Sequence, residues 1–484
     1  MSTDTLRITL ESKAFAADRL EIVKVSGVEA MNRLFDFSVD ALSNDRDNPP
    51  PESMVGATTT LVIESLASDG TSSVVRRVHG MIASVEDRFR DETDRRSFRL
   101  RLVPHALTLT LVESQDICSG SVPDIIRTKL NAVGMGDNEV DFRLAETYPS
   151  REFVVQYKET DYAFVSRLAE HVGISSYLVH GDDQAKLILT DHRDGFTAHD
   201  DGKAVPFRPR GEVRDVFELV ARRNLVPAYY SVRDYNYRTP LVELTGESEL
   251  AQGFAGGVIE FGSHHKTPEE ATWLARVRAE ERGSNAIVYT GRSAVPTFAP
   301  GMRVTISDHP DLGTLEVLLT EVTHEAARPV AGQSEPTSSY YTNTFRAVPA
   351  DRTFRPPRTT PKPRIAGLVT AVVDAGPGAQ PGRYAKIDEQ GRYFIRFLFD
   401  TAGPERRVSR PVRMLQNHVG ENYGTHFPLK PGVEVCVGFI DGDPDRPMIV
   451  GAVPNPTKPS PVTNADPGVH RIRTSTGITV DMGE

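Results

Sequence analysis

Few residues in this chain have both the type and the spacing to do chemistry. The densest group is Asp441-Gly442-Asp443-Pro444-Asp445-Arg446, where three carboxylates and a guanidinium fall close together. Such a loop can hold a ligand or can simply turn the chain. Gly442 admits positive φ and Pro444 presets its own, so the pattern favours a hairpin turn with no ligand. Asp443, Asp445 and Arg446 are then expected to fix the loop through local hydrogen bonds and an ion pair. His264 and His265 form a second group, for which metal binding is the chemistry to consider. Adjacent residues on a strand or helix point different ways, and no acidic or cysteine partner stands at ligand spacing, so both are expected at the surface. Cys118 and Cys436 are the only cysteines and lie in unrelated contexts. They build neither a disulfide framework nor a CxxC metal site, and two buried, reduced thiols are expected. No GxGxxG, Walker loop, HExxH or GxSxG occurs. With 66 Asp and Glu residues, no carboxylate pair identifies itself as a general acid and base. The chain reads as a non-enzyme without cofactor or metal.

Composition narrows the class further. At 484 residues about three domains are expected. An apolar content of 39% with 34 Pro and 37 Gly suits a β-rich globular protein. The net charge of −10 argues against general affinity for nucleic acid or anionic membrane, both of which need basic patches. The start, MSTDTLRITLESKAF, lacks the apolar core of a secretory signal. No run approaches the eighteen or so apolar residues of a membrane span. Synthesis and folding in the cytoplasm without stable membrane insertion are expected.

The elements that would position these residues are mostly strands. Phe35, Phe37, Val39 and Ala41 alternate with Asp36, Ser38 and Asp40, a half-buried strand. Residues 58–64 and 78–82 continue the pattern, with Gly80 marking a bulge or a close backbone approach. Phe98, Leu100 and Leu102 form another strand, ended by Pro104. The period then changes: residues 121–132 read as a helix with Ser121 as N-cap and Pro123 in its first turn. Phe153, Val155 and Tyr157 share a strand face. Thr160 can cap a helix running to Val172, with Phe164, Leu168 and Val172 on one face and Gly173 past its end. Residues 174–180 and 185–190 predict a hairpin. Thr267-Pro268-Glu269-Glu270 is a capping box that opens a helix to Arg282. Four prolines at residues 356–363 predict an extended, semi-rigid connector. Beyond it, Val433, Val435, Val437 and Phe439 alternate with Glu434, Cys436 and Gly438. At the C-terminus Ile478, Val480 and Met482 alternate again, with no turn to close them; a lone strand of this kind needs partners.

Three passages carry a family resemblance. In FPLKPGVEVCVGFIDGDPDRPMIVGAVPN, Gly432, Glu434 and Val435 belong to a PG-x-EV-x-V strand. Gly442, Asp443, Pro444, Asp445, Arg446 and Pro447 form the loop, and Gly451 and Asn455 close an I-x-G-x-V-x-N strand. Gly391 and Arg392 open GRYFIRF, similar to a GR-x-x-V-x-F strand, and REFVVQYKETDYAFVSRLAEHVGISSYLVH is the third passage. Together they resemble the VgrG proteins, trimeric spikes of type VI secretion related to the hub and needle proteins of contractile phage tails. The resemblance implies a mainly β homotrimer with α+β insertions. It implies a first hub β-barrel at 1–115, an α+β insertion at 116–210, and a second hub barrel with a helical insertion at 211–355. A linker at 356–363, an OB-fold-like barrel at 364–456, and a neck with the start of a three-chain β-helix at 457–484 follow. The natural chain is expected to continue past Glu484. A short echo, SFRLRLVPHA at 97–106 against TFRAVPA at 344–350, fits two similar barrels per chain.

The implied function is mechanical. A trimeric hub caps a hexameric tube protein (haemolysin-coregulated protein), carries a PAAR-repeat tip protein and effectors, and contacts the baseplate. It assembles in the cytoplasm and leaves by sheath contraction into a target cell. A hub of a phage-like or extracellular contractile injection device is the alternative within the same class. An OB-fold protein binding single-stranded nucleic acid is the alternative from another class. Nine Lys and Arg against five Asp and Glu between Arg364 and Arg413, with Tyr384, Tyr393, Phe394, Phe397 and Phe399, make its case. Phe397 and Phe399 share the apolar face with Ile395, however, so core packing is the expected role of these rings.

Overall fold

The computed structural model describes residues 5–43, 49–66, 71–88, 95–210, 215–328, 340–376, 384–401 and 410–482. Its contacts divide the chain into two units. The first comprises residues 1–111, 122–149 and 162–361, the second 112–121, 150–161 and 362–484. The molecule is mainly β.

A 13-stranded sheet dominates the first unit. Period-two sequences form its strands because one face of each is apolar. In Asp36–Ser43, Phe37, Val39 and Ala41 are buried while Asp36 is exposed. Asp36–Ser43 pairs with Arg96–Val103, and that strand with Ser72–Arg88. Gly80 is a close approach rather than a bulge: a Cβ there would lie 2.4 Å from the carbonyl oxygen of Val103. Leu20–Ala30 pairs antiparallel with Gly313–Ala327, so the N-terminal and C-terminal halves of this unit share one hydrogen-bonded sheet. Two cores nevertheless form along it. One gathers Leu10, Ile22, Phe37, Leu61, Phe98 and Leu100. The other gathers Val216, Phe298, Val304, Val317 and Phe345. Each half of the sequence echo falls on the second strand of an antiparallel pair: Ser72–Arg88 with Arg96–Val103, and Gly313–Ala327 with Tyr340–Pro349.

Helices sit where the period changed. Val122–Ala132 begins directly after Ser121, and Asp161–Val172 buries Phe164, Leu168 and Val172. Gly173 follows at φ +76°, the left-handed C′ conformation that glycine adopts without penalty. The hairpin Ser175–His180 with Ala185–Thr190 forms as expected and packs Tyr177 and Ile188 against Leu318, Val348 and Phe354. Pro268–Gly283 is capped by Thr267, whose side chain accepts the Glu270 amide at 3.2 Å. Glu270 reaches back to the amide of Lys266 at 2.7 Å, one residue beyond the expected partner. This helix packs Ala271, Leu274 and Ala275 on a three-stranded sheet through Tyr230 and Val232.

The second unit has a five-stranded sheet whose order is Arg410–Val412, Tyr393–Phe397, Val369–Val373, Glu434–Phe439, Pro447–Ala452. Its core is Ala371, Tyr393, Ile395, Phe397, Val435, Val437 and Ile449. The pair Glu113–Gly120 with Arg151–Thr160 belongs to this unit, and its Ile117 and Phe153 pack on that core. The C-terminal segment differs from the lone strand expected. His470–Arg473 and Thr479–Met482 form an antiparallel hairpin, closed by the Thr474 amide on the Ile478 carbonyl at 2.8 Å and by Gly477 at φ +96°. The turn was hidden because Thr474, Ser475 and Thr476 carry little turn signal beside Gly477. Residues 483 and 484, the end of the expected strand, lie outside the described residues.

Candidate functional site

The motif residues gather in the second unit around the acidic loop. Gly432 turns the chain at φ +78° and donates its amide to the Val373 carbonyl at 2.7 Å. Glu434–Phe439 then runs between Val369–Val373 and Pro447–Ala452, with Val435 fully buried opposite Ala371. Gly442 adopts φ +71°, and its carbonyl accepts the amide of Ile365 at 2.8 Å. Pro444 is buried. The Arg446 backbone closes the turn, donating to Asp443 O at 2.9 Å and accepting from the Ile440 amide at 3.0 Å. Pro447 starts the return strand, and Gly451 stands opposite Cys436. Asn455 donates to Glu434 Oε2 at 3.0 Å, while its own Oδ1 accepts from Thr457 and Lys458. Gly391 and Arg392 occupy a separate turn. There the Arg392 guanidinium meets Asp388 Oδ2 at 2.6 Å; burial raises the Asp388 carboxyl, but the hydrogen bonds from Arg392 outweigh it and hold it below its usual range.

The bonding of the acidic loop is less local than expected. Asp443 Oδ1 accepts the Asp445 amide at 2.9 Å, a local bond. An ion pair also joins both carboxylates to Lys362 Nζ, at 2.6 Å for Asp443 and 2.7 Å for Asp445. The other oxygen of Asp445 accepts the Val155 amide at 2.7 Å, pinning the strand Arg151–Thr160 to the loop. An Asp side chain can do this because each ionised oxygen accepts independently. The arrangement is a staple. It joins three stretches of the chain and presents no nucleophile paired with a base.

Two polar networks in the first unit carried no motif. Arg278 is fully buried on the helix Pro268–Gly283, with Glu260 at 3.5 Å and Glu281 at 3.9 Å. Arg358, from the proline-rich stretch, adds bonds to Glu260, Glu281 and the Tyr230 hydroxyl. Burial, then the like charge of Arg358, pulls the Arg278 guanidinium down to about 10. Beside them Glu170 accepts the amides of Thr359 and Thr360 at 3.0 and 2.9 Å. The second network centres on Glu29, buried among Arg76, His180 and His324. Burial works to raise the Glu29 carboxyl, but Arg76 and the two imidazoles outweigh it and hold it well below the usual carboxylate range. A sequence signal existed for the second network: Glu29, Arg76 and His324 each occupy an inward phase of a strand.

Other expectations need correction. His265 is buried, not at the surface, with Nε2 facing the Leu244 carbonyl at 3.1 Å; His264 is partly buried and its amide donates to Asp234 at 2.7 Å. The chain between Phe261 and the helix cap folds against the three-stranded sheet, which adjacent-residue geometry alone does not reveal. Cys118 and Cys436 are free thiols, half-buried where full burial was expected. The aromatic case for nucleic acid weakens, because Tyr393 and Phe397 are core residues and Phe399 packs on Phe397 and on Tyr157. Of the basic residues counted with them, Arg383, Arg406 and Arg407 lie outside the described residues.

The comparisons with known proteins agree with this architecture. The chain is 29% identical to the type VI secretion system spike protein VgrG5 of Pseudomonas aeruginosa, over 90% of this chain and 55% of that one. It thus spans about half the length of the curated relatives it matches. Among solved structures, an Escherichia coli type VI secretion component similar to the T4 bacteriophage tail proteins gp27 and gp5 superposes with a TM-score of 0.67 at 22% identity, covering 92% of this chain and all of that one. A chain of a Francisella PdpA–VgrG complex gives 0.64 at 10% identity, over 99% of this chain and 75% of that one. The profile of the phage tail baseplate hub family (GPD) matches residues 28–330, more than half of the sequence, and the chain belongs to that family.

Proposed function

We propose that this chain is the hub and spike base of a type VI secretion system, acting as a homotrimer that caps the inner tube and is driven into target cells. The observation that carries the reading is the two antiparallel pairs that bear the sequence echo, Ser72–Arg88 with Arg96–Val103 and Gly313–Ala327 with Tyr340–Pro349, set over two cores on one sheet. A threefold assembly can meet a sixfold tube only if each chain supplies two similar docking surfaces. The domain boundaries given above are retained as part of this reading, with 364–456 as an OB-fold-like barrel and 457–484 as neck and first turn of a three-chain β-helix. The terminal hairpin supports it. Ile472, Ile478, Val480 and Met482 are each about half exposed or more, a state that invites cover by copies of the same segment. A hexameric tube protein, a PAAR-repeat tip, baseplate proteins and effectors are the partners. The PdpA–VgrG complex is a precedent for a bound partner protein. The residues identified above hold structure, and no reaction is assigned to them. Assembly in the cytoplasm and export by contraction complete the reading.

Light scattering on this chain across a concentration series tests it. A mass near three times 53.3 kDa is the expected result. A monomer at every concentration, with no retention on assembled tube protein, would overturn it.

A further inference from the structure

The buried cluster around Glu29 joins parts of the first unit that are distant in sequence. Glu29 lies on Leu20–Ala30, and Arg76 and His79 on Ser72–Arg88. His180 ends the hairpin strand Ser175–His180. His324 lies on Gly313–Ala327 and Tyr341 on Tyr340–Pro349. One Glu29 oxygen faces His180 Nε2 at 3.5 Å; the other takes Arg76 and His324 Nε2, the latter at 2.8 Å. Arg76 Nη1 donates to the carbonyls of Pro296 and Phe298, both at 3.0 Å. Among the described residues the charge balance is one carboxylate against one guanidinium.

Hydrogen-bond directions fix His180 as a neutral ring, and a neutral His324 completes its own network. The His79 amide donates to His180 Nδ1 at 3.1 Å, so that nitrogen carries no proton and the proton sits on Nε2, towards Glu29. His324 must donate from Nε2 to Glu29, which leaves its Nδ1 to accept from the Tyr341 hydroxyl at 2.6 Å. Asn343 Nδ2 in turn donates to that hydroxyl at 3.2 Å. A second proton would go to Nδ1, which on His180 meets the His79 amide head-on and on His324 takes from the Tyr341 hydroxyl its acceptor. It would also add a positive charge beside Arg76. His79 supplies no relief, since its ring is bonded to Thr60 Oγ1 at 2.9 Å and to the Gly181 carbonyl at 2.8 Å.

We propose that this cluster is an acid-released clamp, holding the two half-sheets and the 175–190 hairpin together at neutral pH and letting them part when His180 and His324 take up protons. Burial lowers the basicity of both imidazoles below the ordinary histidine value, and Glu29 only partly offsets it. The sign follows. The opened state binds protons that the closed state refuses, so closure is complete above the unfolded histidine value and is lost progressively as pH falls below it. Loss of the depressed Glu29 carboxylate acts in the same direction at lower pH still. Each imidazole protonated on opening multiplies the opening constant by about ten per pH unit.

Hydrogen exchange of the full chain between pH 7.5 and pH 5, corrected for the intrinsic pH dependence of exchange, tests the clamp. The segments around residues 24–30, 74–82, 176–188 and 320–327 should lose protection steeply below about pH 6.5, where histidine titrates. Residues 434–439 in the second unit should not. His180→Asn with His324→Gln offers similar hydrogen-bonding atoms that do not titrate, so the double variant should flatten the pH dependence while keeping protection at pH 7.5. If the double variant does not fold, deuterium uptake at the imidazole C2 protons of wild-type His180 and His324 serves instead; corrected for its intrinsic fall at low pH, it should rise in step with segment opening. Four segments that follow residues 434–439 at all pH values, a double variant with the wild-type profile, or imidazoles that titrate out of step with opening would each overturn the proposal.

Discussion

Asp445 shows how much one carboxylate can hold when both of its oxygens are used. One accepts the Val155 amide and the other meets Lys362, which also binds Asp443. Asp445→Ala removes an acceptor from a part-buried amide and one partner of the ammonium. It should destabilise the second unit by about 1–3 kcal/mol, the range for unsatisfied groups and charged hydrogen bonds. Asp445→Asn keeps an oxygen for Val155 and should cost less. Urea unfolding followed by far-UV circular dichroism, with hydrogen exchange at Val155, separates the two. Equal effects from both variants would show that the ion pair alone matters. At this scale the turn was legible from Gly442 and Pro444, because turn chemistry is local. The staple was not, because Lys362 is 81 residues from Asp443 and Val155 is 290 residues from Asp445. The same limit explains His265, whose burial depends on strands rather than on its neighbour His264.

The proline-rich stretch makes the corresponding point for elements. Its extended form follows from proline, but what keeps it in place is Glu170, on the helix Asp161–Val172, together with Glu281 and Glu260 through Arg358. Glu170→Ala leaves the amides of Thr359 and Thr360 without their acceptor and should free the stretch without unfolding the sheet. The expected result is faster tryptic cleavage after Arg358 with little change in the thermal midpoint. An unchanged cleavage rate would mean that Arg358 and its carboxylates suffice. Elements were the most legible level, since period two, the capping Thr267 and Gly173 are written within a few residues. What strand patterns did hold, and what a search for motifs passes over, is the charged residue at an inward phase. Val25, Gly27 and Glu29 are buried in turn while Ser26 and Val28 are exposed. An inward Glu requires partners, because an unpaired buried charge costs several kcal/mol. The inward phases of Arg76 and His324 supply them.

For the molecule as a whole, the proline-rich stretch marked one border between units and hid another. The second unit takes Val112–Ser121 and Ser150–Asp161 as well as the C-terminal stretch, so it cannot be completed from residues 362–484 alone. No composition shift announces this, because the two short segments flank an ordinary helix. Their contribution is specific. Phe153 packs on Phe397 with ring centroids 6.1 Å apart, Tyr157 meets Phe399 edge-on at 5.4 Å, and Thr401 donates its amide to the Gln115 carbonyl at 3.0 Å. Removing them would uncover an aromatic face, and each large ring returned to water costs about 1.5–3 kcal/mol, a large part of a small domain's stability. A fragment of residues 362–484 should therefore bind a hydrophobic dye and melt without a sharp transition. Co-expression with residues 112–161 should restore a cooperative melt and suppress dye binding. A fragment that melts cooperatively by itself would show that the five-stranded sheet is self-sufficient, and that the strands at 113–120 and 151–160 are only docked on a finished domain.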